Sequence, residues 1–206
     1  MKKDKMLKSV LSFTFKLFMA FLVITQFSNC ETEEPEEENV EEVISKVTLH
    51  FTPAGGGGTI SVSAIDPDGD GPQDMAPEGD INLLMNLEYT LELEFTNDLE
   101  TPPEDITEEI REEADEHMLF FGWKDGLFFN PANGNINTNR DDVRYDDEDG
   151  NGFPVGLETT WTTANMEDSG EFRVLLKHQP DLKSATSGVT TGATDVDVSF
   201  NLVIEK

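Results

Sequence analysis

Residues 87–95 read LEYTLELEF, and strict alternation over that length leaves little choice of backbone. Leu87, Tyr89, Leu91, Leu93 and Phe95 fall on one side, and Glu88, Glu92 and Glu94 on the other. A two-residue period belongs to a strand with one face buried and one face in water; a helix would scatter the same side chains around its axis. The pattern returns along the chain in VISKVTLHFTP (43–53), TISVSAID (59–66), HMLFFGW (117–123), VGLETTWTT (155–163), EFRVLLKHQ (171–179) and TDVDVSFNLVIE (194–205). Shorter candidates are GLFF (126–129), expected to close a hairpin on HMLFFGW around Lys124-Asp125-Gly126, and VRY (143–145). Gly-, Asn-, Asp- and Pro-rich turns separate them.

One stretch departs from this period. In DITEEIREEADE (105–116), Ile106, Ile110 and Ala114 recur at helical spacing, which predicts a short helix over one end of a sheet. About eight strands without βαβ spacing or a long internal repeat predict an all-β body. The expected form is a two-sheet antiparallel β-sandwich, immunoglobulin-like, with a jelly roll or small barrel as the alternative. A single domain is expected over residues 43–206.

The first 29 residues are of another kind. A lysine-rich start (Lys2, Lys3, Lys5, Lys8) leads into VLSFTFKLFMAFLVI, interrupted by Lys16, and then QFSN before Cys30. The uninterrupted apolar run, Leu17 to Ile24, is much shorter than the ~20 residues of a membrane-spanning helix. This reads as an export leader rather than a permanent span. Cys30 is the only cysteine, so no internal disulfide is available. Its position resembles a bacterial lipobox, in which that cysteine is lipidated and becomes the first mature residue; Phe27 stands where lipoboxes usually carry Leu. The following ETEEPEEENVEE (31–42) repels itself and stays extended, an acidic tether over residues 30–42.

The charge excludes one class of partner. The chain has 43 acidic and 14 basic residues, a net charge of −29, and the leader alone holds five of the basic ones. A body so negative is repelled by phosphate backbones, so nucleic-acid binding is not expected.

Two aspartate loops carry spacing with a chemical meaning. Asp66, Asp68 and Asp70 fit D-x-D-x-D-G, and Asp147, Asp149 and Asn151 fit D-x-D-x-N-G, with Glu158 at the twelfth position of the second. Alternate side chains of a tight loop converge on one point, as calcium requires with its six to eight oxygen ligands. Neither loop has a helix before it, so an EF-hand is not expected; the alternative is a pair of acidic turns. His117 and His178 would form a transition-metal site with one carboxylate if their strands meet. Trp123 and Phe128 would line a ligand groove if one face of their strands were exposed. No G-x-S-x-G elbow, P-loop or dinucleotide fingerprint occurs, and no catalytic residue is assigned.

The leader, the acidic tether, the D-x-D-G-D-G loop, EDITEEIREEADEH (104–117), GFPVGL (152–157) and RVLLKHQPDLKS (173–184) together resemble small outer-membrane lipoproteins of Flavobacteria and other Bacteroidota. The resemblance implies a non-catalytic module held on the outer membrane by lipid on Cys30. Acidic residues after the lipidated cysteine resemble surface-export signals, which implies exposure outside the cell. It also implies capture of a ligand beside a TonB-dependent receptor. A calcium-stabilised structural or adhesive module is the alternative.

Overall fold

The computed structural model describes residues 42–69, 71, 75–130 and 143–206. The leader, Cys30, the tether up to Glu41, and Asp70 lie outside the described residues. In chain order the elements are β1 (Lys46–Pro53), β2 (Ile60–Ile65), β3 (Ala76–Pro77), β4 (Ile81–Leu84), β5 (Glu88–Asn97), β6 (Glu104–Asp105), α1 (Ile106–Glu112), β7 (His117–Trp123), β8 (Phe128–Asn130), β9 (Arg144–Tyr145), β10 (Glu158–Thr163), β11 (Asp168–His178) and β12 (Ala193–Glu205).

The strands form two sheets, so the all-β, sandwich-like expectation holds, with each sheet curled toward a half-barrel. One sheet runs β3-β2-β1-β5-β10-β8, with β6 on β5 and β9 on β10; the other runs β4-β12-β11-β7. All neighbours are antiparallel except β4 and β12, which pair in parallel.

The alternation of β5 does what its period dictates. Tyr89, Leu91, Leu93 and Phe95 are buried, and Glu88, Glu92 and Glu94 face water. Phe51, Leu49 and Val47 of β1 stand directly opposite Leu91, Leu93 and Phe95, so one register buries both apolar rows together. Across the sandwich, Trp161 of β10 is fully buried between Phe121, Trp123, Phe128 and Phe172, with ring centroids 4.9 to 5.5 Å away. These rings join the sheets.

The helix falls within the expected segment. Asp105 caps it, its carboxylate accepting from the Thr107 N–H at 3.1 Å, while Ile106 and Ile110 turn into the core. The Thr107 hydroxyl accepts from the N–H of Phe95 and donates to its carbonyl, pinning the helix to β5. Its far end, at Glu113, is thereby set against the start of β7.

One expected pairing is wrong. GLFF does not close a hairpin on HMLFFGW: β8 pairs with β10, so the chain crosses between sheets over residues 124–127. The reason lies in burial. Leu127 and Phe128 are both in the core, Phe128 packs edge-on to Trp123 at 6.3 Å, and the Leu127 carbonyl accepts from the Ala164 N–H. Inter-sheet aromatic packing outweighs the local turn.

Candidate functional site

β7 and β11 pair so that His117, first residue of one, stands directly opposite His178, last residue of the other. Both side chains are buried, His117 completely. Their rings stack nearly parallel, 8° apart, with centroids 4.5 Å from each other. The expected meeting of the two strands therefore occurs.

Each ring is oriented by a different partner. The Nδ1 of His117 lies 3.2 Å from the backbone carbonyl of Glu113, just past the end of α1. A carbonyl only accepts, so this nitrogen carries the proton and Nε2 is the free position of the neutral ring. The Nε2 of His178 instead meets a Glu116 carboxylate oxygen at 3.2 Å. The histidines are neighbours in one cluster, and with Glu113 they bring ligand-type atoms within 4.8 Å of one another.

Carboxylates complete the cluster. Among the described residues, ligand-type atoms of His, Asp and Glu come within 4.8 Å of one another in two groups, and both contain His117: Glu42 with His117 and Asp195, and Glu113 with His117 and His178. Glu42, the last residue of the acidic tether, places one oxygen 3.4 Å from the Nε2 of His117 without hydrogen-bond alignment. Asp195 arrives through an irregularity. Leu176 faces Val196 and Lys177 faces Thr194, so Asp195 is an extra residue in β12, a bulge of the kind that re-aims a side chain.

Charge and burial act against each other here. Burial drives the Asp195 carboxyl up to about 6, with the Glu42 charge adding to the rise and His117, His178 and Lys177 opposing it. For His117, burial works downward, but contact with Glu42, the Glu113 carbonyl and the charge of Asp195 together hold it above the ordinary imidazole value. Oε2 of Glu42, Nε2 of His117 and Oδ2 of Asp195 are all buried without a hydrogen-bond partner among the described residues.

The aspartate loops are arranged differently. Asp147 accepts backbone N–H groups from Gly156 and Leu157 at 2.8 Å each and from Glu158 at 3.3 Å. Asp149 accepts from Asn151 at 2.8 Å and Phe153 at 2.9 Å, and its second oxygen lies 3.0 Å from the ammonium of Lys183. The structure does not bring Asp147, Asp149 and Glu158 to one point. Asn151 contributes its N–H to Asp149, whose second oxygen faces Lys183, whereas Asp147 and Glu158 both line a cleft of about 370 Å³ with His50, Glu92, Glu94 and Arg111. In the first loop Asp66 is fully buried; one oxygen accepts from the Asp68 N–H at 3.2 Å, and the other has no hydrogen-bond partner among the described residues.

Trp123 and Phe128 form no groove. Both are core residues packed on Trp161, so the expected exposed aromatic platform is replaced by the inter-sheet cluster.

No protein-family model, curated protein or solved structure matches this chain. The site therefore rests on its own chemistry. Glu42, Asp195, Glu113 and Glu116 are the members that sequence reasoning does not assign. Glu113 and Glu116 stand four and one residues before His117, close enough to be signals. Asp195 sits in TDVDVSF, where plain alternation sends it outward, and Glu42 is one of eight glutamates in the tether.

Proposed function

We propose that this chain is a lipid-anchored, non-catalytic binding module of the cell envelope, held on the outer membrane through Cys30, that captures a ligand beside a TonB-dependent uptake receptor. The observation that carries the reading is the meeting of His117 and His178 in a buried cluster whose polar atoms are under-partnered. A cluster serving stability alone would have its polar atoms satisfied, because each one buried without a partner costs about 1–3 kcal/mol. Such a deficit points to an external partner.

The test uses the full-length chain in its native membrane. Labelled fatty acid should be incorporated at Cys30 and lost in Cys30→Ser, which should also leave the membrane fraction. Gentle detergent extraction should recover a TonB-dependent receptor with the wild-type chain. Absence of label, or of any receptor after cross-linking, would sink the respective half of the reading.

A second reading, a calcium-stabilised structural or adhesive module, has one observation in its favour: the buried, unpartnered oxygen of Asp66. Calcium should then raise the melting temperature of the wild type but not of Asp66→Asn. An equal response of both proteins, or no response, counts against it.

A further inference from the structure

We propose that Glu42, His117 and Asp195 form a site for a single divalent transition-metal ion of the zinc class. This names the ligand for the cluster in which capture was proposed, and it rests on that reading only for the place of binding.

The three residues come from distant parts of the chain: the root of the tether, the start of β7 and the bulge that opens β12. Each brings a buried polar atom that no hydrogen bond satisfies among the described residues. One ligand-type atom from each lies within 4.8 Å of the other two. A cation held among the three side chains would relieve all three segments.

The donor chemistry selects the class. The bond from Nδ1 of His117 to the Glu113 carbonyl is the outer contact that fixes a metal-binding histidine, leaving Nε2 as the free nitrogen, 3.4 Å from an oxygen of Glu42. Two carboxylates beside that nitrogen call for a positive charge, which either a proton on Nε2 or a metal ion in its place supplies. One imidazole nitrogen with two carboxylates suits zinc, cobalt or nickel; calcium and magnesium favour all-oxygen shells. The spacing agrees. Two ligands at zinc bond lengths of about 2.0–2.1 Å, at a tetrahedral angle, stand roughly 3.3–3.4 Å apart. Nε2 of His117 and the near oxygen of Glu42 are 3.4 Å apart.

His178 has a different part. Its Nε2 is taken by Glu116, and its ring lies flat against His117. It is a positioning residue that holds the plane of His117, and the expected two-histidine chelate becomes a one-histidine, two-carboxylate site. Glu113, whose carboxylate lies within 4.8 Å of both rings, stands beside the remaining position.

The probe is cobalt(II), added to the full-length chain purified in detergent and stripped with chelator. We expect one equivalent to bind with the visible absorption of a four-coordinate ion, and zinc to displace it. Glu42→Gln should weaken binding at least tenfold, and His117→Ala and Asp195→Asn should abolish it. Cys30→Ser and Glu158→Gln should bind like the wild type. Glu42 lies outside both sheets, so its variant carries the test even if His117→Ala fails to fold. Absence of a cobalt spectrum from the folded wild type would overturn the inference, as would wild-type affinity in Glu42→Gln or dependence of the spectrum on Cys30. A chain that recovers its receptor but ignores cobalt fails only here; one that binds cobalt without a receptor fails only as an accessory to uptake.

Discussion

Lys183 holds its ammonium 3.0 Å from Oδ2 of Asp149, with both side chains almost completely withdrawn from water. The same ammonium donates to the backbone carbonyl of Ala114 at 2.6 Å, so one cation joins the second aspartate loop to the turn after α1. Read as spacing alone, Asp147-Glu148-Asp149-Gly150-Asn151-Gly152 asks for an external cation. In the fold, an internal lysine from a segment 34 residues away supplies that charge.

A buried ion pair resists the loss of one partner more than the loss of both. Lys183→Met and Asp149→Asn should each cost about 3–5 kcal/mol, and the double variant clearly less than their sum. Urea denaturation of the four proteins measures the cycle; strictly additive losses would show that the two groups are not coupled.

The same pair gives a pH dependence. Burial works to raise the Asp149 carboxyl, but the Phe153 N–H, Lys183 and the Asn151 N–H together bring it below the ordinary aspartate value. A carboxyl lower in the folded state contributes stability that is full above its unfolded value of about 3.9 and is lost as pH falls through the folded value. Wild type should therefore lose more stability than Asp149→Asn below about pH 4. Denaturation curves at pH 6 and pH 3 check this, and parallel losses in the two proteins would contradict it.

Gly192 is where the chain turns toward β12, and it passes so close to β11 that a Cβ would stand 2.0 Å from the carbonyl oxygen of His178. Its φ of +75° is also in the left-handed region. Gly192→Ala should cost at least about 1–3 kcal/mol and displace His178 from His117. Histidine ring resonances by NMR and a thermal melt read both effects; unchanged ring shifts would show that the strand end can yield.

The strands that alternate strictly are legible because water on one face and core on the other impose a period of two. β5, β1 and β12 match their expected segments to within three residues at either end for that reason, and α1 falls within its segment for the matching reason at Ile106 and Ile110. What alternation cannot convey is an extra residue. The bulge at Asp195 moves a nominally outward carboxylate to the histidines, and only the register between β11 and β12 reveals it. Nor does spacing tell which of eight tether glutamates reaches His117. The pairing of β8 stayed hidden because a three-residue strand has little local pattern, and the contacts that place it are with Trp123 and Trp161, from other strands.

Trp161 should be the costliest single residue to truncate. It is fully buried among four rings drawn from both sheets, and its Nε1–H donates to the Thr159 hydroxyl at 2.8 Å, so its one polar atom is satisfied. Trp161→Ala should cost about 3–5 kcal/mol and remove most of the near-ultraviolet circular dichroism, while Trp161→Phe should keep much of both. A loss below ~1 kcal/mol would mean the sheets do not depend on this junction.

Glu158 of β10 and Glu92 of β5 stand directly opposite each other on the water-facing side of the first sheet. Both line the same acidic cleft. Like charges in directly opposed strand positions repel, and removing one should recover about 0.2–1 kcal/mol. Glu158→Gln is therefore expected to be more stable than the wild type in low salt. The advantage should shrink as ionic strength rises, because exposed charges are screened over about 10 Å at 0.1 M salt. Melting temperatures of the two proteins from 10 to 500 mM sodium chloride separate this from a simple propensity effect: a gain that ignores salt would place its origin in the backbone rather than in the opposed carboxylates.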